Sequence, residues 1–419
     1  MRLFGWRRKP SAPDRGPGLP DPLERLRILE NELREIRLQV EFMRTRLSCY
    51  VGDGIALTYL ADETPMFVNA NDIGGPFNLL NGGRYEEDNV EVLLSFVRDD
   101  TVFLDIGANV GFYTLQVGRR VFPNGKIYSF EPNPQLHELL SRNVYVNGFA
   151  DIVECFRLGL SDRDCTATFQ YPRGHLGGGH IGGPGLVSGH TAVEAEIRRL
   201  DDLLGAEFRC DLVKIDVEGH EINVLNGMKR IVENSPEIKI LFEKLTPNAA
   251  TDVAVESYFS GLGFELYGVR PDASLAELGT GGLGPWSGYV IAARPGTIEG
   301  GLRRARFSLR GGQLSKPNSS ERGVVQQRGS RGEMLFHGPY WLLRPGIWRC
   351  KVHGEIRGMV SIYLLERFGY PVLNFVVEEG KAEHVFTIQR DLMYFECAAY
   401  AASPEAEITL ERVEFIREV

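Results

Sequence analysis

The sequence predicts an α/β protein built on a mostly parallel sheet of about seven strands, with a heptad-patterned helix before it and an all-β region after it. Three observations carry that prediction. The stretch Thr101 to Pro132, TVFLDIGANVGFYTLQVGRRVFPNGKIYSFEP, runs from a β-branched apolar segment through a glycine turn and a helical period to a second apolar segment. A second stretch from Leu212, LVKIDVEGHEINVLNGM, repeats the order of strand, turn and helix with charged residues at the strand's end. Beyond residue 332 the pattern changes to short apolar runs separated by turn signals, with no sustained helical period.

In the first stretch Val102 to Ile106 reads as a buried strand, Gly107 and Gly111 as a turn, Val110 to Arg120 as a helix, and Lys126 to Phe130 as a second strand ending on Glu131. That is a βαβ unit, whose crevice for a nucleoside lies at the carboxyl ends of its strands. Asp105 can hold the glycine turn or an ammonium group, and Glu131 stands where an acid accepts both hydroxyls of a ribose. The turn reads D-x-G-x-N-x-G with Asn109 in the middle, not the G-x-G-x-x-G that lays a pyrophosphate on a helix N-terminus. A compact sulfonium nucleoside, S-adenosylmethionine, therefore fits better than a nicotinamide or flavin dinucleotide.

At 419 residues, 43% hydrophobic and 25% charged, the chain has the composition of a soluble globular protein of two domains plus an appendage. A net charge of −9 argues against a general nucleic-acid binder, which needs a basic excess to neutralise phosphates. Six scattered cysteines without a C-x-x-C pair read as thiols in a reducing compartment. No run approaches the roughly 20 apolar residues that span a bilayer, so a cytoplasmic location is expected. The basic start MRLFGWRRKP reads as a flexible tail, with peripheral attraction to the inner face of an anionic membrane as the alternative.

Residues 10–20 form a Pro/Gly linker. Asp21 then caps a helix over residues 21–48 in which Leu26, Leu29, Leu33, Ile36, Val40, Met43 and Leu47 keep an a/d seam. Opposite charges at two of three g-to-e′ pairs favour a parallel homodimer, leaving a trimer open, and packing of the helix on its own domain is the competing reading. Residues 50–84 suggest a small β-hairpin or flap, and the helix from Tyr85 to Val97 makes Tyr85 and Glu86 candidate lid residues. After Glu131 a helix runs to Asn147, followed by a third strand from Ile152 to Leu160; Ser161 and Asp162 sit where a side chain can reach an adenine. The eight glycines between Pro172 and His190 read as a mobile insertion or hairpin tip without a packed element. Its His175, His180 and His190 match no zinc spacing. Strands at Leu212 to Asp216, Ile238 to Phe242, Phe264 to Val269 and Tyr289 to Ala293 complete the sheet.

The blocks LDIGANVGFYTLQVG, IYSFEPNP and LVKIDVEGHE, in this order and spacing, resemble the FkbM family of S-adenosylmethionine-dependent methyltransferases. The resemblance covers roughly Tyr85 to Lys244. It implies the class I methyltransferase fold, a Rossmann-like sheet of seven strands with the last antiparallel, and methyl transfer usually to a hydroxyl. Members often serve polysaccharide, glycolipid or natural-product pathways, so the implied acceptor is a sugar hydroxyl. The cofactor-binding set is then Asp105, Gly107, Asn109, Gly111, Tyr113, Glu131, Pro132, Asn133 and Asp162.

Transfer to an alcohol needs an aligned acceptor and a base. Lys214, Asp216 and Glu218, at alternate positions, point to one side of their strand. The expected roles are Asp216 positioning the methionine moiety or acceptor, Glu218 as base, Glu243 binding the acceptor, and Lys214 keeping neighbouring acids ionised. His220 is the alternative base, and a divalent metal site is the alternative use of the acids; no metal ligand is assigned.

Residues 297–332 read as a linker with an early edge strand, and 333–419 as a β-sandwich of jelly-roll type resembling carbohydrate-binding domains. Tyr340, Trp341, Trp348, Tyr363 and Tyr370 would offer it aromatic surface for sugar rings. Two function classes follow: an S-adenosylmethionine-dependent methyltransferase acting on a saccharide, or a glycan-binding scaffold whose methyltransferase fold has lost catalysis.

Overall fold

The computed structural model describes residues 48–182, 187–205, 207–244 and 249–298, and from there 306–310, 325–329, 334–336, 341–343, 346–366, 370–388, 392–404 and 406–418. The basic tail, the Pro/Gly linker and the heptad helix lie outside them, except for Ser48.

The first described segment is a small antiparallel sheet of β1 (Cys49–Gly52), β2 (Ile55–Tyr59) and β3 (Pro65–Asn69), followed by α1 (Gly75–Gly82) and α2 (Glu87–Ser95). It is larger than the expected hairpin, because Met66 and Val68 alternate inward to a core that the Asn143 amide closes on both sides of Phe67.

The central sheet starts at β4 (Val102–Ile106), α3 (Phe112–Val121), β5 (Lys126–Phe130), α4 (Pro134–Val146) and β6 (Val153–Phe156). Helix α4 begins where expected: Pro134 sits in its first turn and the Asn133 side chain accepts from the Gln135 N–H at 3.0 Å. The expected third strand is split. Residues 159–160 leave the central sheet as β7 (Gly159–Leu160) and join a second sheet with β8 (Cys165–Pro172), β9 (His180–Ile181) and β10 (His190–Arg198). That sheet corrects the reading of the glycine-rich segment as lacking a packed element. It carries β9, buries Leu176, and is tied to the N-terminal segment by the Ile73 N–H to the Gly174 carbonyl at 2.8 Å and the Leu176 N–H to Asp72 at 3.1 Å.

The chain returns through α5 (Leu200–Leu203), β11 (Leu212–Ile215), α6 (Glu221–Gly227), α7 (Lys229–Asn234), β12 (Lys239–Lys244), α8 (Ala249–Gly261), β13 (Glu265–Val269), β14 (Leu275–Leu278) and β15 (Gly288–Ala293). The central sheet has the order β14-β13-β15-β12-β11-β4-β5-β6. Strands β6, β5, β4, β11 and β12 run parallel, and β15 runs against both β12 and β13. The eighth strand, β14, pairs antiparallel outside β13 and has no counterpart in the seven-strand expectation. Alternation along β4 sends Phe103 into the core on one face and Leu104 and Ile106 into the core on the other, so both faces of the sheet are covered.

The C-terminal region consists of β16 (Arg306–Arg310), β17 (Val325–Gly329), β18 (Met334–Phe336), β19 (Trp341–Leu343), β20 (Gly346–Arg357), β21 (Met359–Glu366), β22 (Tyr370–Glu378), β23 (Glu383–Ile388), β24 (Leu392–Ala401) and β25 (Ala406–Glu418). They form two antiparallel sheets, and β16 and β17, in the stretch read as linker, both pair with β25. Trp348 is fully buried in this region's own core, not displayed on its surface. Tyr363 meets Tyr400 edge-on at 5.3 Å between ring centres. Tyr340 and the side chains of Trp341 and Tyr370 lie outside the described residues. Among the described residues no helix is long and apolar enough to cross a membrane.

Candidate active site

Five parallel strands end on one edge of the central sheet, and the pocket opens there, with a volume of about 240 Å³. The turn after β4 forms its floor. Gly107 has φ +74°, and a β-carbon on it would stand 1.9 Å from the Asp216 carbonyl oxygen, so the two strand ends approach as closely as backbone allows. Gly111, φ +89°, leaves room for Leu140 of α4, which a β-carbon would meet at 2.6 Å. Gly107, Asn109, Glu131, Pro132, Asp216, Glu218, His220 and Glu243 line the pocket, together with Tyr85 and Glu86 from the start of α2.

Glu131 is held on both oxygens: Oε2 accepts the Asn109 N–H at 2.9 Å and Oε1 the Asn133 N–H at 2.8 Å. Each carboxylate oxygen retains a second lone pair for an incoming hydroxyl. Burial pushes its carboxyl up to about 7 against the pull of those amides and of Lys214. Asn133 thus acts from behind the pocket wall, as do Gly111 and Tyr113; the Tyr113 hydroxyl donates to Glu86 at 2.6 Å.

Register explains the charged centre. Lys214 of β11 is the parallel partner of Asp105 in β4. Its ammonium, 3% exposed, lies 3.8 Å from Asp105 and 3.3 Å from Asp216, and donates to the Gly107 carbonyl at 2.7 Å. Burial works against that charge, but Asp216 and Asp105 outweigh it and raise the pKa. Lys214 and Asp105 therefore brace the glycine turn from beneath and do not line the pocket. The expectation that Lys214, Asp216 and Glu218 face one way holds only for the last two.

Lys214 does pull Asp105, Glu131 and Glu218 toward their ionised forms, as expected, but burial outweighs it. Burial, then the like charges of Asp216 and Glu221, push Glu218 up to about 7. Burial, then the charge of Asp216, push Glu243 up to about 9, and the two side chains share a hydrogen bond. One lysine does not neutralise Glu86, Asp216, Glu218 and Glu243 along the same wall. Glu86 (φ +44°), Asn109 (φ +53°) and Glu218 (φ +52°) all hold left-handed backbone at this pocket, a cost the surrounding structure must impose.

His220 precedes α6, and its Nε2 shares a hydrogen bond with Ser161 Oγ at 2.9 Å. Burial lowers its pKa, which keeps it neutral. Asp162 accepts from Ser161 Oγ at 3.2 Å and does not line the pocket. Sequence reasoning missed Tyr289, whose hydroxyl donates to Asp216 Oδ2 at 3.0 Å; it read only as a strand residue. It also missed the apolar wall made by Leu158, between β6 and β7, and by Leu160, Phe169 and Ile181 of the second sheet.

Residues 105–266 match the model of the methyltransferase FkbM domain. That span is similar to the methyltransferase FkbM domain. The matched span includes the β4 turn, Glu131 and the β11 end. Methyltransferase sdnD of Sordaria araneosa is 30% identical over 154 residues, which are 30% of this chain and 59% of that protein, so this chain spans under two thirds of that relative's length. Hexuronic acid methyltransferase AglP of Haloferax volcanii is 27% identical over 43% of this chain and 76% of its own. The crystal structure of methyltransferase FkbM from Methylobacillus flagellatus aligns with a TM-score of 0.31 and 16% identity, over 46% of this chain and 44% of that one.

Proposed function

We propose that the protein is an S-adenosylmethionine-dependent methyltransferase of class I fold that O-methylates a sugar hydroxyl of a polysaccharide, glycolipid or related natural product. The observation that carries this reading is the FkbM domain pocket, in which a carboxylate aimed by two backbone amides and a carboxyl poised at about 7 face the same cavity. The donor set fits the cofactor. Glu131 offers lone pairs to ribose hydroxyls, the β4 turn leaves room for backbone approach, the apolar wall of Leu158, Leu160 and Phe169 suits an adenine, and the acidic wall suits a sulfonium and an ammonium. When bound, the cofactor supplies an electrophilic methyl group.

The chain's own residues then do the rest. A base whose pKa lies near the working pH takes protons most efficiently, and Glu218 meets that condition. Asp216, oriented by Tyr289 and Lys214, positions the reactants. Glu243, on the same wall as Asp216 and Glu218, binds the acceptor. AglP, whose name states a hexuronic acid acceptor, supports the saccharide class. The setting we propose is cytoplasmic, with residues 21–48 pairing two chains through their heptad seam.

Incubation of the full chain with tritiated S-adenosylmethionine and a saccharide fraction from the host tests this. Label in a methyl ether of a sugar is the predicted outcome. Cofactor binding without label in any saccharide would point to the glycan-binding scaffold instead.

A further inference from the structure

The hairpin after β13 builds a second hollow beside the cofactor pocket. This open groove of about 470 Å³ is lined by Glu86 and Asn89 of the α2 region and by Arg270, Pro271, Trp286 and Tyr289 from the far side. Its far side, from Val269 to Tyr289, lies past residue 266, where the family match ends. It is also the part of the chain that holds β14, the strand absent from the seven-strand plan.

Trp286 is fixed in place. Its indole lies on the backbone of Gly268, where a β-carbon would meet the ring at 2.2 Å, and its Nε1–H donates to the Tyr289 carbonyl at 3.2 Å. Its own carbonyl accepts from Lys244 at 2.8 Å, and that buried lysine pairs with Asp252 at 3.5 Å. The residue is partly buried against the core of the sheet and keeps a part of its surface at the groove. An aromatic surface already ordered by the fold loses little entropy on binding. The Asn89 amide and the exposed Arg270 guanidinium border it with hydrogen-bond donors.

The groove and the pocket share a lining residue. Glu86 lines both, and Tyr289 lines the groove while its hydroxyl reaches Asp216 in the pocket. Glu86 and Tyr289 thus connect the groove to the wall that carries Asp216.

Resting on the methyltransferase reading, we propose that this groove is the acceptor site, and that it takes a pyranose ring against Trp286 with ring hydroxyls held by Asn89 and Arg270. Acceptor choice then resides in a hairpin outside the matched domain, while the domain itself supplies the cofactor pocket.

The test is a saturation-transfer NMR titration of the full chain with the methyl glycosides of glucose and of glucuronic acid, run on the wild type, Trp286→Ala and Arg270→Ala, beside calorimetric titration of S-adenosylmethionine. Each substitution should weaken glycoside binding by roughly ten-fold or more and leave cofactor affinity unchanged. Arg270 is exposed and its removal does not touch the core, so that variant decides the matter if Trp286→Ala fails to fold. Wild-type glycoside affinity in Arg270→Ala, or no binding of either glycoside to the wild type, overturns the groove assignment. Glycoside binding that depends on these residues without methyl transfer would instead overturn the methyltransferase reading and leave the groove standing. Methyl transfer to a saccharide unaffected by either substitution would do the reverse.

Discussion

At Gly107 a β-carbon has nowhere to go, since the Asp216 carbonyl stands 1.9 Å from where it would lie. Gly107→Ala must push β4 and β11 apart at their ends as well as bear a left-handed backbone costing roughly 1–2 kcal/mol. We expect a lowered melting temperature and lost S-adenosylmethionine binding, both readable in one thermal-shift series; normal binding would show that the turn does not shape the pocket. At Glu218 the consequence is kinetic. As the base must be unprotonated, transfer should rise with pH through about 7, and Glu218→Gln should lose on the order of a hundred-fold or more of turnover while cofactor affinity is retained. A flat pH profile across that range would remove Glu218 from the role. Gly107, Asn109 and Glu131 were legible in the sequence because a strand, a glycine turn and an acid at the next strand's end are local patterns. Tyr289 and the Glu86–Tyr113 bond were not, because they depend on which distant elements the sheet brings together.

Elements divide the same way. Strands β4 and β5 fall on the residues expected from their apolar runs, and α4 follows Glu131 as expected, opening at Pro134. The third strand was read too long because Leu158 and Leu160 remain apolar after the chain has left the central sheet; both face the pocket instead. Strand β14, LAEL, is too short to stand out, and pairing with β13 makes it a strand. Register, invisible in one sequence, is what puts Lys214 beside Asp105. Its removal leaves buried Asp105 without its cation and the Gly107 carbonyl without its donor. Lys214→Met should therefore cost about 3–5 kcal/mol of stability, measured by denaturant unfolding; a loss below about 1 kcal/mol would mean the pair is not the brace described here.

Across the whole molecule, the pocket is a site of stored electrostatic cost. Glu131 and Glu218 keep their protons up to about 7 and Glu243 up to about 9, against 4.5 for an unperturbed glutamate. A carboxyl raised in the fold contributes stability that is full below the unfolded value and is lost as pH rises through the folded one. The cofactor-free protein should thus lose melting temperature between about pH 5 and pH 9, and Glu243→Gln, which has no proton to release, should lose less; equal slopes would contradict the assignment. The same economy makes sense of a cationic ligand, since a sulfonium and an ammonium relieve the crowding of Glu86, Asp216, Glu218 and Glu243. In the proposed function the crevice at the ends of β4, β5 and β11 holds S-adenosylmethionine with Glu131 on its ribose. Calorimetric titration of S-adenosylmethionine into the wild type and Glu131→Ala decides it: the wild type should bind, with affinity at least about ten-fold weaker in the variant, and equal affinity in the two would remove Glu131 from the ribose.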